Sequence, residues 1–399
     1  MGASTERLNP RSNSEIQMSA APAEAASAAP ELVPPLAKLD RAAIEAVVSS
    51  GRRLLVQGGM GIHASDGLAG KVARHRGAKL VGAGTISAVI KTDEHLRREI
   101  ALARREAPGG FVGVNLMAAI NRADFERLAR VAIDEQVSFI VQGAGISREI
   151  VRWCRDGGVP FAGIVSSGRL ATMYEKWGAE FLVAEGAEAG GHIGDIGHPL
   201  PMLLAEVRGA TSLPVIAAGG VDASDVAAFL SAGAAGVQIA TRFLASSDGS
   251  VHPAFKEMHL QKGEPEVTLI TSCVKGMKAR AVRNAFTDKL ARGEAVPPKS
   301  KLWYFGKDGY AGRRKSCIDC LGVGICKCRD SGFKESFCIT DALLAAAVKG
   351  DTENGLFYTG QSVTRIPDRD VELLPSVEAI MEQLEERLAA ELPVLAVVS

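Results

Sequence analysis

From residue 52 onward the chain alternates short apolar runs, rich in Val, Ile and Gly, with longer amphipathic stretches. The runs fall at 54–58 (LLVQG), 79–84 (KLVGAG), 111–116 (FVGVNL), 139–143 (FIVQG), 160–165 (PFAGIV), 181–186 (FLVAEG), 213–218 (LPVIAA) and 236–240 (GVQIA). Runs apolar throughout suit strands covered on both faces, as in a parallel sheet. Between them, DEHLRREIALARRE, RADFERLARVAIDEQ, RLATMYEKWG and DASDVAAFLSAGA read as amphipathic helices, several opening with an Asp or Ser fit for an N-cap. Eight strands alternating with helices over about 190 residues predict a TIM (β/α)8 barrel of the α/β class. A doubly wound sheet would need a long crossover where the strand order reverses, and no such segment is evident.

The rhythm stops near residue 245. Beyond it, 340–350 (TDALLAAAVKG) and 375–391 (PSVEAIMEQLEERLAAE) read as helices in an otherwise irregular region. Residues 1–38 are rich in Ala, Ser, Pro and Glu and have neither a periodic apolar face nor a signal-type apolar run. The expected organisation is a disordered tail at 1–38, a cofactor-binding barrel at 39–260, a substrate- or cluster-binding region at 261–365, and a C-terminal helix within 366–399.

Composition narrows the function. With 46 basic and 46 acidic residues in 399, the formal charge is zero, which argues against a nucleic-acid partner. No apolar run approaches the roughly 20 residues that span a bilayer, so no membrane partner is expected. Two of the seven cysteines, Cys154 and Cys273, stand alone, while Cys317, Cys320, Cys326, Cys328 and Cys338 crowd one short stretch. In a chain this large a local cluster reads as metal ligation in a reducing, cytoplasmic compartment.

Function in a TIM barrel sits at the C-terminal ends of the strands. Here those ends carry Gln57-Gly58-Gly59-Met60-Gly61, Asn115, Gln142-Gly143, the long segment Ala184-Glu185-Gly186-Ala187-Glu188-Ala189-Gly190-Gly191-His192, then Ala217-Ala218-Gly219-Gly220 and Gln238-Ile239-Ala240-Thr241. The last two are suited to a phosphate held on backbone N–H groups, with Asp222 to Ser224 opening the helix that follows. Gly59-Met60-Gly61 is not a dinucleotide fingerprint, because position 64 is Ala and the second strand does not end in an acidic residue. A mononucleotide such as FMN fits better. His192, after two glycines, is the candidate general base, since imidazole titrates near working pH. His63 and His198 have less favourable contexts.

The runs QGGMG, GVNLM, VAEGAEAGGHIG, LPVIAAGGV and GVQIATRF, with the tail CITDALLAAAVKGDTENGLFYTGQSVTRI, resemble the nitronate monooxygenase (2-nitropropane dioxygenase-like) family of FMN enzymes over about residues 52 to 390. The resemblance implies FMN in the barrel mouth and His192 as the base that removes a proton α to a nitro or carbonyl group. It implies a flavin lining of Gly59, Met60, Gly61, Asn115, Gly190, Gly191, Gly219, Gly220, Gln238 and Thr241, to which the strand-end residues Glu185 and Ala240 are added. Ala240 departs from the Gly frequent there. The block KSCIDCLGVGICKCRDSGFKESFC is similar to a subgroup typified by FabX, an acyl-carrier-protein dehydrogenase/isomerase of unsaturated fatty acid synthesis with FMN and a [4Fe–4S] cluster. Cys317, Cys320 and Cys338 are the first candidate ligands, and Cys326 and Cys328 compete for the fourth place. Zinc is the alternative metal.

Three activities stay open at this level: acyl-thioester dehydrogenation and isomerisation, nitronate oxidation with dioxygen, and NAD(P)H-dependent enoyl-thioester reduction. An acyl carrier protein would dock on a basic patch, for which Arg280, Arg283, Arg313, Arg314 and Lys315 are candidates; a homodimer is compatible with the chain.

Overall fold

A computed structural model of the chain describes residues 33–61, 67–89, 91–118, 122–194, 197–260, 267–271, 278–294, 339–366 and 370–391. The first six strands are β1 (Arg53–Gln57), β2 (Leu80–Ser87), β3 (Phe111–Met117), β4 (Ile140–Gly143), β5 (Phe161–Val165) and β6 (Phe181–Glu185). After the short β7 (Gly191–Ile193) come β8 (Val215–Ala218) and β9 (Gly236–Ile239). All but β7 form a closed parallel barrel in sequence order, with β9 pairing back on β1 from Leu54↔Gly236 to Gln57↔Ile239. Each of the eight apolar runs is a barrel strand, and the fold is the expected TIM barrel.

Side chains alternate across each strand. Leu54, Val56, Val81, Ala83, Val183, Ile216 and Ala218 share one buried cluster, the lumen. Their neighbours Leu55, Leu80, Leu182, Val215 and Ala217 belong to the layer beneath the surrounding helices. Leu39, Ile44 and Val47, from α1 (Arg41–Ser49) and the residues before it, also belong to the lumen cluster. Asp40 caps α1 by accepting the Ala43 N–H (2.8 Å), and the Leu39 N–H donates to the Ser138 carbonyl ahead of β4 (3.0 Å). Among the described residues, the N-terminal end of the barrel is therefore closed by these side chains.

The helices that alternate with the strands are α2 (Leu68–Ala73), α3 (Asp93–Glu106), α4 (Arg122–Asp134), α5 (Glu149–Asp156), α6 (Gly168–Trp177), α7 (Leu200–Ala210) and α8 (Val226–Ser231). Thr92 caps α3 and Ser167 caps α6, each accepting an N–H three residues on. Then follow α9 (Thr241–Leu244) and α10 (Pro253–Leu260). No helix among the described residues is long and apolar enough to cross a membrane.

Past the barrel, β10 (Val267–Thr271) and β11 (Lys278–Val282) pair antiparallel, and β11 pairs on its other side with β7. Next come α11 (Ala285–Ala291), α12 (Ile339–Ala347) and α13 (Val377–Glu391); the stretch expected to be helical at 375–391 contains α13, and that at 340–350 contains all of α12 but its first residue. Helix α13 returns to the barrel wall: Val377, Ile380, Met381, Leu384 and Leu388 join the outer apolar layer. Its Glu385 carboxylate accepts the Lys79 and Leu80 N–H groups at 2.9 and 2.7 Å.

One feature of α3 departs from its amphipathic pattern. Lys91, His95 and Glu99 are at most 4% exposed, and the Glu99 carboxylate is shared by Lys91 Nζ (3.1 Å) and His95 Nε2 (2.6 Å). Beside them lies a small cavity bordered by Glu99, Gln57 and Thr85. The Gln57 side chain exchanges two 3.1 Å hydrogen bonds with the Thr85 backbone, fixing β1 to β2 just below the mouth. Replacing Glu99 with Ala leaves two buried nitrogen groups without that carboxylate, an expected loss of about 3–5 kcal/mol. The readout is a lower urea midpoint at unchanged slope, with Glu99→Gln losing less.

Candidate active site

The outward positions of Val114, Leu116, Ala184, Val237 and Ile239 assign Asn115, Glu185 and Gln238 to the lumen face at the C-terminal ends of β3, β6 and β9. Strand register lines two of them up, with Glu185 opposite Ala218 and Ala218 opposite Gln238. Asn115 donates through Nδ2 to the Val141 carbonyl (3.4 Å) and lies against Gly59, where an added Cβ would come 2.6 Å from the Asn115 Cβ. These three residues ring the mouth above the apolar lumen.

The turn after β8 has a backbone only glycine accepts readily: Gly219 and Gly220 have φ of 96° and 67°. It packs on the segment after β6, so that a side chain at Gly220 would collide with Glu188. Arg365 donates to the Gly220 carbonyl (2.6 Å) and to Asp225 Oδ1 (2.9 Å). The helix after this turn does not open at Asp222–Ser224 as expected. It starts at Val226, after a turn in which the Asp225 carboxylate accepts the Asp222 N–H (3.0 Å) and pairs with Arg365. On the neighbouring strand end, Thr241 Oγ1 accepts the Gly360 N–H (3.2 Å).

His192 does not sit in a loop. It lies in the middle of β7, directly opposite Ala279 of β11. The Tyr358 ring stands edge-on to its imidazole, with centroids 5.6 Å apart and planes at 70°. Burial lowers the His192 pKa to about 4, so the ring is neutral, and basic, at physiological pH. Burial acts on Glu185 as well and raises its carboxyl to about 7.

Several groups that hold this segment escape a reading of the sequence. Arg280 turns its guanidinium inward, donating through Nε to the Ala189 carbonyl (3.1 Å) and through Nη2 to that of Ala187. Its expected place in a basic docking patch is therefore corrected: the charge is spent on two backbone carbonyls. Arg283 is paired with Asp288 (2.7 Å). Gly190 has no room for a Cβ because the backbone of Thr359 and Gly360 crosses it, and the Gln361 N–H donates to the Glu188 carbonyl (2.9 Å). Tyr358 and Arg280 come from the region past the barrel, where no periodic pattern marks them. The one signal for Tyr358 is its place in the tail that resembles the family.

The remaining expected residues scatter. Met60 is buried in the apolar layer outside the barrel, and Gly61 lies next to Val89. Gly191 faces the Tyr358 ring, and Ala240 is the residue before α9. Cys154 is a buried core thiol whose pKa burial pushes to about 12. His198 pairs with Glu206 (3.1 Å), and its carbonyl accepts the Ala187 N–H (2.9 Å). Cys317, Cys320, Cys326, Cys328 and Cys338, with Cys273 and His63, lie outside the described residues. Among the described residues no group of three or more His, Cys, Asp or Glu gathers as for a metal ion.

Comparison with known proteins places this geometry. The family model described as nitronate monooxygenase matches residues 90–386. A curated relative from Mycobacterium tuberculosis (strain H37Rv), (3aS,4S,5R,7aS)-5-hydroxy-7a-methyl-1-oxo-octahydro-1H-indene-4-carboxyl-CoA dehydrogenase, is 32% identical over 341 residues, covering 83% of this chain and 91% of that protein. Its namesake in Rhodococcus jostii (strain RHA1) is 27% identical, covering 79% and 88%. Among solved structures, FabK from Thermotoga maritima superposes with a TM-score of 0.68 at 26% identity, covering 88% of this chain and 97% of that one. The family match spans the strands from β3 to β9 and reaches into α13, so it takes in His192 and the Tyr358 segment together; the chain is an oxidoreductase of the flavin-using kind and belongs to the nitronate monooxygenase family.

Proposed function

We propose that this enzyme uses FMN to oxidise an acyl thioester, with His192 as the base that removes the α-proton. The observation that carries the reading is the neutral, half-buried imidazole of His192, held between Ala279 and Tyr358. The thioester is favoured by the two relatives named as carboxyl-CoA dehydrogenases.

The mouth has the features FMN requires. The polar side chains Asn115, Glu185 and Gln238 face the lumen where a flavin ring presents donors and acceptors. The left-handed Gly219-Gly220 turn and the neighbouring Ala240-Thr241 backbone are suited to the phosphate. Gly59, Gly61, Gly190 and Gly191 would flank the ring, while the side chain of Met60 points into the outer layer. Bound FMN supplies the acceptor for the hydride that leaves the β-carbon.

The protein's part is proton transfer and positioning. His192 would accept the α-proton through a ring nitrogen, and burial, which lowers its pKa to about 4, favours the unprotonated form beforehand. Pairing of β7 with β11 and the Arg280 clamp hold the segment rigid, so the imidazole meets the substrate without reorganising. Once free of that proton, the same base would take one from the γ-carbon of the 2-enoyl product and return it to the α-carbon, which shifts the double bond, the isomerase half of the FabX-type reading. Five cysteines spaced as C-x-x-C and three further thiols support a [4Fe–4S] cluster, with zinc as the competing ion. No step above runs through it. The family description favours a second reading, oxidation of alkyl nitronates.

The pure protein should show flavin bands near roughly 370 and 450 nm. Anaerobic bleaching of those bands by acyl-CoA supports the proposal; bleaching by alkyl nitronates alone replaces it with the second reading. His192→Ala should keep the bands and slow bleaching by about 10²–10⁴-fold. Unchanged bleaching in this variant would remove His192 from the mechanism.

The pH dependence has a definite sign. Burial lowers the His192 pKa to about 4, so the reactive neutral form persists well below the usual histidine range. With flavin and substrate saturating, the bleaching rate of the wild type should hold from neutral pH down to about 5 and fall only near 4. A limb centred on 6.5 would show an imidazole open to solvent.

A further inference from the structure

His192 keeps its edge-on contact with Tyr358 only while the chain from Phe357 to Gln361 stays in place, and that chain is fastened residue by residue. The Phe357 carbonyl accepts the Val282 N–H (2.8 Å), and the Thr359 N–H donates to the Arg280 carbonyl (3.4 Å). The Gly360 N–H goes to Thr241 Oγ1 (3.2 Å), and the Gln361 N–H to the Glu188 carbonyl (2.9 Å). At Tyr358 the fastening comes from a side chain: Nε2 of His259, on α10, lies 3.1 Å from the Tyr358 carbonyl. His259 is 1% exposed and has no task in the proton transfer described above. Its ring stacks on Phe255, with centroids 4.4 Å apart and planes at 23°, and Phe255 packs in turn against Phe357 (5.2 Å).

Both ring nitrogens of His259 face backbone carbonyls, since Nδ1 lies 2.8 Å from that of Phe255. A neutral imidazole has one N–H and can donate to only one of the two. Burial disfavours the imidazolium that would donate to both. The Phe255 carbonyl, four residues back on α10, is the acceptor that helical geometry already gives to the His259 backbone N–H. The Tyr358 carbonyl lies outside any helix and has no such built-in donor, which favours the ring proton on Nε2.

Resting on the reading of His192 as the base, we propose that His259 is a positioning residue: its Nε2–H holds the Tyr358 carbonyl and so keeps the Tyr358 ring against the His192 imidazole. Loosening that grip lets the imidazole swing, which slows the step that needs its orientation and leaves substrate binding nearly untouched. A residue that merely fills the core would affect stability and not this step.

The two ring nitrogens can be told apart by substitution. A Gln amide reaches about as far as Nε2, and an Asn amide about as far as Nδ1. Holoenzyme of the wild type, His259→Gln, His259→Asn and His192→Ala is mixed anaerobically with acyl-CoA, or with alkyl nitronate if that alone bleaches the wild type, and flavin bleaching is followed over a range of concentrations. His259→Gln should keep the limiting rate within about threefold of wild type, and His259→Asn should lower it about 10–10²-fold, with half-saturating concentrations within about threefold in both. Adding His259→Asn to Tyr358→Ala should cause no further loss, because the ring to be positioned is gone. Equal slowing by Gln and Asn, wild-type rates in both, or independent losses in the double variant overturns the inference. The 15N-histidine spectrum of the wild type, with the His259 signal identified by its loss in His259→Gln, should show a neutral ring protonated at Nε2. A ring protonated at Nδ1 overturns the inference even where His259→Asn does not fold. If His192→Ala bleaches like wild type, the base reading fails; if His192→Ala is slow and His259→Asn is not, this inference alone fails.

Discussion

The lumen of an eight-stranded barrel is just wide enough for side chains to fill it, and the height to which they do so decides what else the molecule can be. Here the filling comes from below. Leu39, Ile44 and Val47 close the N-terminal end, and Leu54, Val56, Ala83, Val183, Ile216 and Ala218 stack above them. At the level of Asn115, Glu185 and Gln238 the lining turns polar, and at the next residue in several strands it turns to glycine. The apolar column fixes the barrel; the polar ring lies on top of it at the C-terminal ends of the strands.

A polar ring alone would not hold a base in place. His192 depends on contacts from far along the chain: Ala279 across the β7–β11 ladder, Tyr358 against the ring, and Arg280 gripping the carbonyls of Ala187 and Ala189. Thr359 and Gly360 press on Gly190, and the Gly360 N–H reaches Thr241 at the end of the next-but-one barrel strand. The region after the barrel thus ties the histidine segment to the phosphate-type turn. This explains why glycine at 190 serves the protein's own backbone as much as any ligand, and why a bare barrel would leave the histidine on a loose loop.

What could be read from the sequence follows from the range of the interactions. Barrel strands announce themselves because each is apolar over four to eight consecutive residues, a local property. His192 stands out because a motif surrounds it. By contrast β7 is three residues long and exists only because Lys278–Arg280 pairs with it, so nothing local marks it. Arg280 reads as surface charge until its carbonyl acceptors, about 90 residues away in the chain, are known. Lys91, His95 and Glu99 look like the polar face of an amphipathic helix, and it takes their burial to show a shared carboxylate. Each failure involves a residue whose partner is fixed by tertiary structure alone.

The same cause acts on the two titratable groups at the mouth with opposite numerical effect. Desolvation lowers the histidine to about 4 and raises the carboxyl to about 7, and both changes favour the uncharged species. Other buried charges in the barrel wall are handled differently: Glu99 keeps Lys91 and His95 as partners, and Glu385 accepts two N–H groups. Glu185 has no such partner among the described residues, and burial favours the uncharged form of both it and His192. As the proposed base, His192 would have a modest proton affinity, and abstraction would depend on the acidity of the substrate's own C–H and on stabilisation of the carbanion as it forms. On the proposed mechanism, such a site would select substrates activated by an adjacent carbonyl or nitro group through proton energetics, before any shape in the pocket distinguishes among them.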